Sequence, residues 1–194
     1  MNNSYLYERT INKTMTHLIE TKNLTLRRFK DTDVANIYKL DSNEEVHKYL
    51  GGKPITTLKE AEDIVSYFHL QYKERGIGRF ATIEKSSGKF IGWVGLKLNL
   101  GEKEMLNGYT NFIDIGYRFL PNFWGKGYAT EASLASIKYG FKNLKYNIIY
   151  GAADVENIGS NKVLQKIGLN FINEFAFKNI KCNWYELKKE NYEY

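Results

Sequence analysis

The sequence predicts one α+β domain, mixed α/β in content, with helices flanking a central, mostly antiparallel sheet. Three observations point there. Residues 31–75 carry helix signatures, residues 79–119 turn to closely spaced strands, and residues 127–188 mix helix and strand. No internal repeat, low-complexity tract or Pro/Gly linker interrupts this order. With 194 residues, 43% hydrophobic and 15% aromatic, the chain suits one substantial core and is short for two. Residues 1–14 (MNNSYLYERTINKT) look like an appended N-terminal extension or an upstream start, which leaves 15–194 as the domain.

The elements follow in order. Leu24 and Leu26 alternate with Thr25 and Arg27, a first strand ending near Phe29. Asp31 is placed to cap a helix that carries Val34, Ile37, Tyr38 and Leu40 on one face. The tetrapeptides SNEE at 42–45 and TLKE at 57–60 both fit a capping box, in which hydroxyl and carboxylate satisfy the unpaired amides of a helix start. The second opens a helix through Ile64, Val65, Phe68 and Tyr72 that stops near Gly76, and LGGKP at 50–54 is a loop. Residues 79–84 and 89–98 are strands joined by a KSSG hairpin at 85–88. A polar loop at 99–108 precedes a third strand at 109–119. Then come a helix at 127–141, a strand at 146–153, a short helix at 159–167 stopped by Gly168, and strands near 170–177 and 183–188.

Charge and composition narrow the chemistry. Twenty-eight Lys+Arg against 22 Asp+Glu give a net charge of +6, which suits an anionic partner without choosing among a phosphate-bearing cofactor, nucleic acid and a membrane surface. Cys182 is the single cysteine, so no intrachain disulfide or cysteine-based metal cluster can form. His17, His47 and His69 are not at ligand spacing, which sets aside zinc chemistry and a Ser/His/Asp hydrolase; no metal is expected. No apolar run approaches the roughly 20 residues of a membrane span, and the N-terminus lacks a secretory h-region. A cytoplasmic protein without a membrane partner is the expectation. No RNP-like aromatic motif or zinc finger accompanies the positive charge, so no nucleic-acid partner is expected.

The stretch PNFWGKGYATEA at 121–132 carries the chemistry. A strand, a Gly-containing turn and a helix start form an anion site, because the first helical amides lack partners and the helix dipole places positive charge there. Glycine permits positive φ and a close approach to those amides. A dinucleotide G-x-G-x-x-G fails at Thr130, and the Gly-Lys pairs at 52–53, 88–89 and 125–126 are followed by Pro54, Phe90 and Gly127 rather than the Ser or Thr of a Walker loop. Alone, the turn is equally compatible with an ordinary helix start.

It is not alone. IGYRFLPNFWGKGYATEA, followed by a strand and then by DVENIGSNKVLQKIGLNF at 154–171, resembles the GNAT acetyltransferase family. Within it the chain is most similar to the RimJ/RimL-type branch, which acetylates protein N-termini, including those of ribosomal proteins, and various small amines. The likeness runs from IETKNLTLRRF at 19–29 to WYELKKENY at 184–192. It implies the GNAT fold, with a splayed strand pair in the sheet, acetyl-CoA as co-substrate, and direct acetyl transfer to a primary amine in a ternary complex. The acceptor would be a peptide N-terminus or a small amine, and the enzyme a monomer or homodimer. A catalytically idle acyl-CoA-binding or nucleic-acid-binding module is the alternative of a different class.

The resemblance also implies roles. Ile115, Gly116 and Tyr117 would pair through their backbone with the pantetheine arm. Asn122, Phe123, Trp124, Gly125, Lys126, Gly127 and Tyr128 would form the pyrophosphate turn, with Trp124 and Tyr128 as packing and positioning residues. The family pattern begins [QR] where this chain has Asn122, which leaves an amide cradle intact. Asn157 matches the asparagine that contacts the pantetheine arm, and Ser160 lies at the position close to the sulfur. Many relatives carry a tyrosine at the place of Leu164; without it Ser160 is the remaining donor to the departing thiolate. Asn and Ser are also ordinary helix-capping residues. A lysine ε-amine, with a reference pKa of about 10.4, needs more help to become neutral than an α-amine near roughly 7.7–8.0. Asp114 is the first candidate for the base, ahead of Asp154 and Glu156, although alternation puts it on the strand face opposite Ile115 and Tyr117.

Overall fold

The structure, a computed structural model, describes residues 19–192. The proposed extension at 1–14 lies outside the described residues. Eight strands form one sheet: β1 (Ile19–Glu20), β2 (Leu24–Arg27), β3 (Phe80–Glu84), β4 (Phe90–Asn99), β5 (Phe112–Phe119), β6 (Ile148–Asp154), β7 (Asn170–Phe177) and β8 (Ile180–Lys188). Their order is β1-β2-β3-β4-β5-β6-β8-β7. Every neighbouring pair is antiparallel except β5 with β6, which is parallel.

Five α-helices among the described residues cover this sheet: α1 (Val34–Asp41), α2 (Glu44–His47), α3 (Leu58–Arg75), α4 (Tyr128–Lys142) and α5 (Ile158–Lys166). Successive residues of a strand face opposite ways. Phe80 accordingly joins one core with Leu96, Ile115, Ile137, Phe141 and Leu164, under α4 and α5. Ala81 joins the other with Ile37, Leu40, Val65 and Phe68, under α1 and α3. A third, aromatic cluster of Phe112, Tyr150 and Trp184 covers the sheet where β5 meets β6, with Tyr109 and Phe175 against Trp184.

The capping box at 57–60 is formed as expected. Thr57 Oγ1 accepts from the Glu60 amide at 3.3 Å, the Glu60 carboxylate accepts from the Thr57 amide at 2.9 Å, and Gly76 ends α3 at φ 69°. The other two caps are not formed as expected: α1 starts without a side-chain cap, and the cap of α2 moves by one residue. Asp31 is exposed in a 3-10 turn; Asp33 is the buried aspartate, because its carboxylate reaches the Lys30 amide at 2.9 Å and both Arg27 guanidinium nitrogens at 2.7 and 2.8 Å. Asn43, not Ser42, caps α2, accepting from the Val46 amide at 3.2 Å. Ser42 is the C-cap of α1, its backbone still near the helical region. The third predicted strand starts at Phe112 rather than residue 109. Asn107, Gly108 and Asn111 all take positive φ, so the chain turns on itself before the strand begins. β2 lies where the alternation of Leu24 and Leu26 placed it, whereas its two-residue edge partner β1 was too short to carry a periodic signal.

Candidate active site

β5 is paired with β4 over its whole length, from Gly92 opposite Phe119 to Asn99 opposite Phe112. On its other side it registers with β6 at Asp114 opposite Tyr150 and nowhere else. Beyond that point the parallel strands part, and residues 115–119 present main-chain polar groups along an edge that β6 does not use. An extended ligand can pair with such an edge as a strand would.

The turn after β5 fits an anion. Gly125 and Gly127 take φ of 72° and 80°, and a Cβ at either would meet nothing within 4 Å, so the space before the turn is open. Gly127 is the N-cap of α4 and brings no side-chain cap, leaving the first helical amides unclaimed. Glu131, the acid of the first turn, is engaged elsewhere. Its carboxylate accepts from Thr21 Oγ1 at 2.6 Å and from the Asn23 amide at 2.7 Å. Burial would raise the Glu131 carboxyl, but these bonds outweigh it and hold it below its ordinary value. The rest of the turn is anchored. Trp124 Nε1 donates to the Phe119 carbonyl at 2.7 Å, Tyr128 donates to Glu84 at 2.7 Å, Phe123 packs between the two cores, and Lys126 sits 5.0 Å from the Phe123 ring centroid. Asn122 is exposed in a 3-10 turn, where only its backbone is fixed.

The start of α5 lies across the splay. Asn157 is its N-cap: Oδ1 accepts from the Ser160 amide at 3.0 Å. Ser160 is one turn into the helix, and its hydroxyl meets the Tyr117 hydroxyl of β5 at 2.8 Å. Leu164 is buried in the core beneath. Gly151 on β6 makes room for this helix, since a Cβ there would stand 2.8 Å from Leu164 and 2.9 Å from Leu169.

Asp114 is on the opposite face of β5, with both carboxylate oxygens engaged. Oδ1 accepts from Asn99 Nδ2 at 2.7 Å, and Oδ2 from Arg79 at 2.5 Å. Arg79 is 7% exposed and also donates to the Gly95 and Asp114 carbonyls, so one guanidinium ties β4 to β5. Gly116 exists for this arginine: a Cβ there would stand 2.7 Å from Nη2 and 2.8 Å from Cζ. Of the other candidate bases, Asp154 caps the Glu156 amide at 2.8 Å and Glu156 is exposed. Trp184 and Tyr72 are core residues.

Sequence reasoning missed three residues that shape this site, Arg79, Asn99 and Asn161, and gave Tyr117 a backbone role without its hydroxyl contact. Arg79 and Asn99 hold Asp114, the Tyr117 hydroxyl holds Ser160, and Asn161 joins β6, α5 and β8. Asn161 donates to the Asp154 and Asn157 carbonyls at 2.8 and 2.9 Å and accepts from Asn183 and Tyr185 at 2.8 and 2.7 Å. The bonds of Arg79 and Asn99 to Asp114 and of the Tyr117 hydroxyl to Ser160 span 15 or more residues, and Asn161 reaches Asn183 and Tyr185 more than 20 residues on, so no short motif could have exposed these contacts. Among the described residues no group of His, Cys, Asp or Glu could hold a metal ion, and no helix is long and apolar enough to cross a membrane.

Comparison with known proteins agrees with this geometry. Residues 23–170 match the family model described as an acetyltransferase (GNAT) domain. An uncharacterized N-acetyltransferase, p20 of Bacillus licheniformis, is 34% identical over 76% of this chain and 79% of its own. The spermidine N(1)-acetyltransferase of Escherichia coli is 25% identical over 75% and 72% of the two chains. Among solved structures, a GNAT-family acetyltransferase from Bacillus anthracis superposes with a TM-score of 0.75 at 26% identity, covering 90% of this chain and 99% of that one. RimL, a ribosomal alpha-N-protein acetyltransferase in complex with coenzyme A, shares the fold with a TM-score of 0.73 at 17% identity, over 89% and 98% of the chains. With its splayed strand pair, glycine turn and family match, this chain belongs to the GNAT acetyltransferase family and is an acetyl-CoA-dependent N-acetyltransferase.

Proposed function

We propose that the acceptor is a protein N-terminal α-amine. The observation that carries this reading is the state of Asp114. The one carboxylate of β5 has both oxygens committed to Asn99 and Arg79, so it is poorly placed to take a proton from a cationic amine. An acceptor that arrives partly neutral suits such a site, and an α-amine titrates roughly 2–3 units below a lysine ε-amine.

In this reading the β5 edge at 115–117 holds the pantetheine arm, and the turn 122–128 holds the pyrophosphate with its amides. Bound acetyl-CoA supplies an activated acyl group. The chain's part is to align it, present a backbone N–H to the carbonyl oxygen, and place Ser160 at the sulfur. Asn157 turns its Oδ1 to the helix, so its Nδ2 is the group that would meet the coenzyme arm. The +6 charge favours a diphosphate ligand, but no observation favours nucleic acid.

A polyamine or other small amine is the second reading, favoured by the sequence relative that acts on spermidine. Thiol release measured with short peptides, N-acetyl-lysine amide and spermidine separates the two. The α-amine reading expects peptides to be used at pH 7, with kcat/KM rising as the peptide's own amine deprotonates. Preference for spermidine or the ε-amine at that pH would replace it with the second reading.

A further inference from the structure

We infer that Tyr117 is a positioning residue whose hydroxyl orients the Ser160 proton toward the departing sulfur. This rests on Ser160 as the group that faces the sulfur. A serine hydroxyl has one proton and gives it to one acceptor at a time. Within a helix that acceptor is commonly the carbonyl four residues back. Ser136 in α4 does this, donating to the Ala132 carbonyl at 2.9 Å. Ser160 lies too near the start of α5 for that bond, and its hydroxyl meets a phenol instead.

Tyr117 sits on the α5-facing side of β5, half-buried against the main core. Burial pushes its phenol well above the ordinary value, against the opposing bond to Ser160. It therefore keeps its proton throughout the working pH range, as a fixed donor rather than a proton source. Two acceptors are in reach: Ser160 Oγ at 2.8 Å and the Ser160 carbonyl at 3.0 Å. When the phenol donates to Oγ, the serine proton cannot point back at the phenol and is left for a third group. When it donates to the carbonyl, the serine proton is drawn to the phenol oxygen. A negative sulfur selects the first arrangement.

The overall exchange balances without a proton from either side chain. The amine nitrogen gains the acetyl carbon and loses one proton, and the sulfur that leaves that carbon with the bonding pair ends with one. Ser160 stabilises the charge on sulfur through a hydrogen bond, and Tyr117 keeps that bond aimed. Charge-assisted bonds of this kind are about twice as strong as neutral ones, so aiming matters more at sulfur than in the resting protein.

The test reads the thiol of bound coenzyme A. Its ionisation is followed by thiolate absorbance against a desulfo-coenzyme A blank in wild type, Tyr117→Phe, Ser160→Ala and the double variant. Thioester turnover of the same samples is the second readout. The expected result is a bound thiolate favoured in wild type and about tenfold less favoured in Ser160→Ala. Tyr117→Phe should lose most of that preference, the double variant should be no worse than Ser160→Ala, and kcat should fall with KM for acetyl-CoA unchanged. Tyr117→Met, of similar bulk, repeats the comparison should the phenylalanine variant not fold. Wild-type ionisation in Tyr117→Phe, with loss in Ser160→Ala, would overturn the role of Tyr117 alone. Unchanged ionisation in Ser160→Ala would overturn the serine reading and this inference together. Additive losses in the double variant would show Tyr117 acting apart from Ser160.

Discussion

At the scale of single residues, Gly116 shows how an invisible constraint sits in a visible motif. Its place beside Tyr117 was legible in the sequence as part of a family pattern. The physical reason is Arg79, some 37 residues earlier in the chain, whose guanidinium fills the space a Cβ would need. Gly116→Ala should displace that guanidinium from two carbonyls and the Asp114 carboxylate, costing about 1–3 kcal/mol in stability. Urea denaturation checks this, and in an Arg79→Met background the same alanine should cost much less. An equal cost in both backgrounds would mean the glycine answers to something else. Asp114 illustrates the same limit: its position on β5 could be read from the sequence, whereas its two partners could not. Those partners come from β4 and from the residue before β3, and only the folded sheet brings them together.

At the scale of elements, local chemistry was legible and long-range anchoring was not. The capping box of α3 and the stop at Gly76 followed from residues three or four apart, within one turn of helix. The cap of α2 shifted by one residue because Asn43 accepts from the Val46 amide, and α1 starts without a side-chain cap because Asp33 turns its carboxylate to Arg27 and the Lys30 amide. The polar segment at 99–108 was legible only as a loop, yet Glu104 pins it firmly. Its carboxylate meets Arg75 at 2.6 Å, Tyr67 at 2.7 Å, Lys97 at 3.1 Å and the Leu100 amide at 2.8 Å. Burial alone would raise this carboxyl, but the amide, phenol and two cations together pull it down to about 2. A lowered folded pKa stabilises above the unfolded value, and that stability fades as pH falls toward the folded one. Glu104→Gln should therefore lose about 1–3 kcal/mol at neutral pH. The gap to wild type should narrow as pH is lowered from about 5 toward about 2, as protonation removes the charge from wild type too. A gap independent of pH would deny the carboxylate its ionic role.

At the scale of the whole molecule, the antiparallel character and the element order were legible from strand spacing and turn residues, but the splay of β5 from β6 came only with the family resemblance. Its cause lies in the topology. β6 follows the crossover through α4, lies parallel to β5 and meets it at Asp114 and Tyr150, while its other edge pairs along its length with β8 and holds it in the sheet beyond that point. The aromatic cluster around Trp184 fills the sheet on one face of that junction, while α5 and Ser160 close the other. In the proposed reading, the opening between the strands, the two left-handed glycines and the uncapped start of α4 would together hold one long anionic ligand. Titration of coenzyme A into wild type and Gly125→Val, each followed by its heat of binding, tests that assignment most directly. A side chain at φ 72° disturbs the turn and crowds the amides an anion must approach. The account predicts binding by wild type and a loss of at least about 100-fold in the variant, roughly 2.7 kcal/mol, with cooperative unfolding retained. Tight binding by a folded Gly125→Val protein would contradict it.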